Sequence, residues 1–233
     1  MEDMTATKSS PTAVLDGLLN ARWSCRGFRP DAVPRATTEE ILRLAGKSPS
    51  WCNTQPWHTV VTEGDGTERF RAALSKHAAE TPYLSPDFEF PLQYTGVFQE
   101  RRRECGLQLY ESVGVTRGDR TASARESLRN FSFFDAPHTA VVTTPADLGV
   151  YGAIDCGLYV GTFLLAAQSL GLGAIPQAAF AAHSEFIRDF LDLPADRKIV
   201  CGISFGYADE SHPANSFRTS RAPMNETFSW IDS

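Results

Sequence analysis

Apolar positions at helical spacing begin just after a proline. Ser10 and Pro11 form an N-cap and first-turn pair, and Val14, Leu15, Leu18 and Leu19 add a stripe that predicts a helix over about 11–20. Thr37 with Glu40 three residues on reads as a capping box ahead of Ile41, Leu42, Leu44 and Ala45, with Pro49 as the stop. Short β-branched runs predict strands at 58–62, 139–144 and 198–207, and helical patterns fall near 66–80, 97–113 and 121–129. The aromatic stretch 83–94 is too apolar for a plain solvated loop and should cover a core edge or a pocket.

The longest apolar run, 150–172, has the length of a membrane span, but Asp155, Gln168 and its glycines weaken that reading. We expect a helix buried on nearly all sides, with Gly152, Ala153, Cys156, Gly157 and Gly161 permitting close packing, either within one subunit or at a dimer interface. No repeat or linker divides the 233 residues, so one domain spanning 1–233 is expected, with residues 1–10 loose.

Charge and cysteine usage narrow the function. Lys and Arg total 22 against 28 for Asp and Glu, a net charge of −6, which argues against a broad nucleic-acid surface. The five cysteines are scattered without a C-x-x-C pair, so neither a disulfide framework nor a zinc site is indicated. No basic n-region followed by an apolar run opens the chain, so no secretory signal is expected, and the reading is a cytoplasmic protein without membrane or nucleic-acid partners.

Three stretches carry candidate chemistry. In Arg22-Trp23-Ser24-Cys25-Arg26, alternate residues of an extended segment point one way, so two guanidiniums and a hydroxyl can share one phosphate or planar acceptor. Arginines after a helix also simply complement its carbonyl end. The loop 48–57 (SPSWCNTQPW) is stiffened by two prolines and crowded with amide and hydroxyl groups suited to a polar heterocycle, or else is an ordinary turn. Arg218 and Arg221, flanked by hydroxyls, complete an anion pocket or make surface ion pairs.

Taken together, RWSCRGF, SPSWCNTQPWH, GLGAIPQAAF and RTSRAP, in that order from about residue 12 to 226, resemble the FMN-dependent nitroreductase family. The resemblance implies an α+β fold, a mainly antiparallel sheet wrapped by helices, in an intertwined homodimer with FMN at the subunit interface. It implies flavin contacts from Arg22, Trp23, Ser24 and Arg26 of one chain, with Arg26 near the N1 and O2 edge. From the other chain it implies Pro49, Ser50, Trp51, Asn53 and Gln55. The backbone at Pro176, Gln177, Ala178 and Ala179 would border N5, Arg221 and Arg218 would hold the phosphate, and 207–233 would wrap the partner subunit. The activity implied is ping-pong transfer from NADH or NADPH through FMN to a small aromatic acceptor such as a nitroaromatic or quinone, with no obligatory catalytic acid or base.

Departures bear on substrate preference: Trp23 stands where the family often has Arg, Trp51 and Cys52 where small residues are common, and Ala178-Ala179 where some members have Glu-Gly. Phe90 and Tyr94 are the candidate acceptor contacts. Reductive dehalogenation, a flavin-using synthase and a non-catalytic flavin module are the rival readings. Gly202-Ile203-Ser204-Phe205-Gly206 matches a hydrolase elbow, but Asp209 and His212 follow too closely for the usual layout of a triad.

Overall fold

The computed structural model describes residues 10–81 and 83–232, so the expected loose N-terminus lies, apart from Ser10, outside the described residues. Ser10 acts as foreseen: its Oγ accepts the Ala13 N–H at 3.2 Å and opens α1 (Pro11–Ala21). The second helix, α2 (Arg35–Ala45), does not use the Thr37 and Glu40 box. Pro34 occupies the N-cap with φ −55°, and the Thr37 N–H goes to the Pro34 carbonyl at 2.9 Å, so Thr37 is already inside the helix. Gly46, rather than Pro49, ends it.

Four antiparallel strands, β1 (His58–Thr62), β2 (His138–Pro145), β3 (Gly173–Gln177) and β4 (Arg197–Gly206), form one sheet in the order β1-β2-β4-β3. The sequence pattern misses β3 because Gly173 and Pro176 read as turn residues. At the sheet edge that proline is tolerated, since its missing N–H is not needed by a further strand.

Helices cover both faces. Ala140, Val142, Cys201, Ile203 and Phe205 point to α2 and α6 (Gly149–Ser169), whereas Val141, Ile175 and Ile199 point to α3 (Asp65–Glu80), α7 (Ser184–Phe190) and the 3-10 segment Ala178–His183. Ile199 and Cys201 face opposite ways because the register slips between Val142 and Thr143, leaving Val200 as an extra residue in β4.

Of the two expectations for α6, burial on all sides within one subunit is not met by this chain. Cys156, Tyr159, Phe163, Ala166 and Ala167 enter the core, but Val150, Tyr151, Ile154, Gly157, Leu158 and Gly161 form an exposed stripe along the opposite side. The helix is long and apolar enough to cross a membrane, and half of it is buried inside the fold. In the aromatic segment, Ser85 bonds Ala182 and Asp87 bonds Arg188 and the Ile199 N–H, while Tyr83, Leu84, Phe90, Leu92 and Tyr94 stay exposed. It is anchored at the core edge. The next helices, α4 (Gly96–Ser112) and α5 (Arg120–Leu128), bury almost nothing.

Candidate functional site

Leaving α1, the chain runs extended past Ser24, which bridges to Ala174 of β3, and this lays Arg22, Trp23, Ser24 and Arg26 along one wall. The other wall comes from the far end of the sequence. Asn215, buried, accepts the Arg26 N–H at 2.7 Å and donates to Gly27 O and Asp209 O, both at 2.8 Å, and so fixes Phe217 to Arg221 opposite. Gly27 is required here: a Cβ would lie 2.3 Å from the His212 ring. Arg218 stacks over Trp23 with its guanidinium carbon 4.0 Å from the ring centroid.

The result is a cavity of about 310 Å³ whose lining includes Arg22, Trp23, Ser24, Arg26, Cys105, Arg218, Thr219 and Arg221 and no carboxylate. Among the described residues none of the four arginines forms an ion pair. Burial, and then the nearby Arg221, hold the Arg22 guanidinium below its ordinary pKa. Burial also lowers Arg26, partly offset by Cys105 and Glu126. The buried Trp23 Nε1–H finds no acceptor. Four cations and a free hydroxyl, with no carboxylate in the lining, are chemically a receptor for a polyanionic group such as a phosphate.

The loop 48–57 does not line that cavity. Trp51 instead lines a separate one with Tyr151 and Asp155 at the start of α6. Within the loop, Asn53 and Gln55 are exposed, Ser50 is half-buried with its Oγ accepting the Gln55 N–H at 2.9 Å, and Pro49 is exposed. At the end of β3, Pro176 and Ala178 are exposed and Ala179 half-buried. The Gln177 side chain is turned into the core, where it accepts from Ser204 Oγ and donates to Asn130 O at 2.8 Å. That pairing leaves Ser204 in the middle of a buried strand with a glutamine partner, so the hydrolase reading is set aside. Neither Phe90 nor Tyr94 lines the arginine cavity; Tyr94 lies under Arg102, 5.1 Å from its ring centroid.

Asn215 heads the C-terminal run 215–223, but two contributors escape the sequence motifs: Cys105 and Glu126. Glu126 lines a cavity of about 110 Å³ behind Arg26, and its Oε1 is buried without a hydrogen bond. A carboxylate in a polar helix gives no signal in one sequence.

The fold is an α+β scaffold in which helices wrap an antiparallel sheet beside an anion-receptive cavity, and comparison with known proteins gives its family. The Nitroreductase family model matches residues 19–207, and the chain belongs to that family. It is 36% identical over 214 residues to nitroreductase NfnB of Mycolicibacterium smegmatis, covering 90% of this chain and 89% of that one. A 4-nitrobenzoate reductase of Nocardioides sp. is 36% identical over 229 residues, 93% of this chain and 90% of its own. The crystal structure of the FMN-dependent nitroreductase NfnB from Mycobacterium smegmatis in complex with NADPH superposes with a TM-score of 0.91 at 34% identity, over 96% of this chain and all (100%) of the other.

Proposed function

We propose that this chain is an FMN-dependent oxidoreductase, working as a cytoplasmic homodimer, that passes reducing equivalents from NAD(P)H to nitroaromatic or related electron-poor aromatic acceptors. The observation that carries the reading is the four-arginine cavity without a counter-charge in a protein of net charge −6. When bound, FMN supplies two-electron transfer at its ring, taken from a nicotinamide and handed to the acceptor.

The chain's own residues bind and orient. Arg22, Arg218 and Arg221 would hold the phosphate, with the Ser24 hydroxyl as a further donor. Arg26 would set positive charge at the pyrimidine edge of the ring, where reduction adds negative charge. The exposed Asn53 and Gln55 belong to a second half-site. Because the loop and the arginine cavity are separate in one chain, the half-sites meet when two chains pair through the apolar stripe of α6. The stretch 207–233 would wrap the partner, and at its end Phe228, Trp230 and Ile231 are exposed for that contact. No side chain needs to act as acid or base, and Phe90 and Tyr94 are our candidates for stacking against the acceptor.

The visible spectrum of the purified protein tests this. We expect bound flavin that bleaches with NADPH and recovers on addition of 4-nitrobenzoate. A protein that takes up no FMN refutes the reading, and flavin that NADPH and NADH leave oxidised marks a non-catalytic module instead.

A further inference from the structure

Asp155 is the one charged residue of α6 and is only 5% exposed. It forms no ion pair among the described residues. Burying a carboxylate without a cation is costly unless it is hydrogen-bonded. Its two oxygens accept the backbone N–H of Trp51, at 3.1 and 3.2 Å. Trp51 opens the 3-10 turn Trp51–Asn53, whose leading N–H groups have no partner inside the turn. Ser50, at the N-cap, supplies no side-chain cap, so the carboxylate from α6 takes that place.

The turn needs holding. Cys52, Asn53 and Gln55 have φ of 51°, 55° and 47°, left-handed backbone without a glycine. Such conformations persist only where the surroundings over-determine them. Three of the restraints come from α6: Asp155 on Trp51, Thr162 Oγ1 on Ser48 Oγ at 2.7 Å, and Tyr151 against the Trp51 ring, 4.6 Å between centroids. Of these, Asp155 alone acts on the backbone of the turn. The two side chains that the left-handed residues Asn53 and Gln55 present are exposed.

We infer that Asp155 is a positioning residue: its carboxylate holds the Trp51 amide so that Asn53 and Gln55 are set for the flavin before the flavin arrives. This rests on the reading of the loop as a flavin contact. Preorganisation moves the ordering cost of the loop from the binding step to folding, so loss of the clamp appears in affinity rather than in the core.

The test compares Asp155→Ala and Asp155→Asn with the wild-type full chain. Amide exchange is followed in the apoproteins, and FMN affinity is measured by quenching of flavin fluorescence. We expect Asp155→Ala to speed exchange across 50–55, to leave β4 protected, and to weaken FMN binding by about tenfold or more, the scale of a lost charge-assisted hydrogen bond. Asp155→Asn keeps a carbonyl acceptor at the same place and should recover most of both. Wild-type exchange and affinity in Asp155→Ala overturn the inference, as does an asparagine variant as impaired as the alanine one. If Asp155→Ala also loosens β4, the asparagine comparison decides. A wild-type chain that binds no FMN refutes the flavin reading and takes the inference with it, whereas normal wild-type binding beside an unaffected Asp155→Ala removes the inference alone.

Discussion

Truncating Arg221 to alanine should move flavin affinity and apoprotein stability independently. Arg221 donates only to Thr219 O at 3.2 Å, Thr219 Oγ1 at 3.0 Å and Ser220 O at 2.8 Å, all within its own exposed segment. It holds nothing distant in place, and it repels Arg22, whose pKa is lowered first by burial and then by Arg221. Without flavin, removal of one of four unpaired cations relieves that repulsion, so the melting temperature of the apoprotein should stay level or rise slightly.

Binding behaves differently. A hydrogen bond to a charged group is worth about 1.5–3 kcal/mol, and for an exposed side chain the lower half of that range applies. A loss of about 1.5–2 kcal/mol corresponds to a roughly 10–30-fold higher Kd for FMN. Because the contact is partly screened, the wild-type Kd should climb with ionic strength and that of the variant less steeply. Flavin-quenching titrations at two salt concentrations, beside melts of the apoprotein, give all three quantities. A Kd within about twofold of wild type at low salt, or a parallel loss of apoprotein stability, would refute the reasoning.

Further consequences are equally direct. In Gly202→Ala the new Cβ would lie 2.2 Å from the Phe180 ring, itself fully buried. Overpacking of about 1–3 kcal/mol should lower the melting temperature by several degrees, and an unchanged melt would show that Phe180 can give way. Ser204→Ala removes the donor to Gln177 Oε1, so stability should fall by about 1–3 kcal/mol in urea titrations while turnover per bound flavin is unchanged. Abolished turnover in a folded, flavin-loaded Ser204→Ala would reopen the serine as a chemical group.

His138 accepts the Val33 N–H on Nε2 at 2.9 Å, and burial depresses its pKa. The unfolded chain therefore takes up the proton first. This contribution to stability is fully present above the unfolded value of about 6.5 and declines as pH falls from there toward the depressed folded value. His183 and His212 are shifted in the same direction, mainly by burial. The urea midpoint should drop between pH 7.5 and 5.5 at constant slope, and a flat profile would contradict these buried neutral imidazoles.

The longer helices were legible from local signals, as at Ser10 and Pro11 in α1, whereas the seven-residue α7 was not. The strand β3 was not, because Gly173 and Pro176 are acceptable only through its place at the edge, which is a property of the sheet and not of the segment. For α6 a dimer-facing side was one of the two readings, but an all-apolar sequence cannot say which face meets its own core. For the site, the R-x-S-x-R and terminal arginine pairs were visible, and the cavity that joins them lay about 190 residues apart in sequence, closed by the single side chain of Asn215. Asp155 was visible too, but only as an interruption of an apolar run; its partner, a backbone N–H, leaves no mark in sequence.

Charge distribution gives the site its direction. Among the described residues Glu126 and Asp135 pair with Arg129, at 3.8 and 3.4 Å, and Glu226 pairs with Arg101, although Glu126 also acts on Arg26. Arg22, Arg26, Arg218 and Arg221 are left facing one another across about 310 Å³. Folding therefore stores a modest electrostatic repulsion that a dianionic ligand cancels, and binding gains that relief in addition to its own hydrogen bonds. A neutral or cationic ligand of the same shape gains neither, so the proposal of a phosphate at this place has an electrostatic ground even in a net-negative chain.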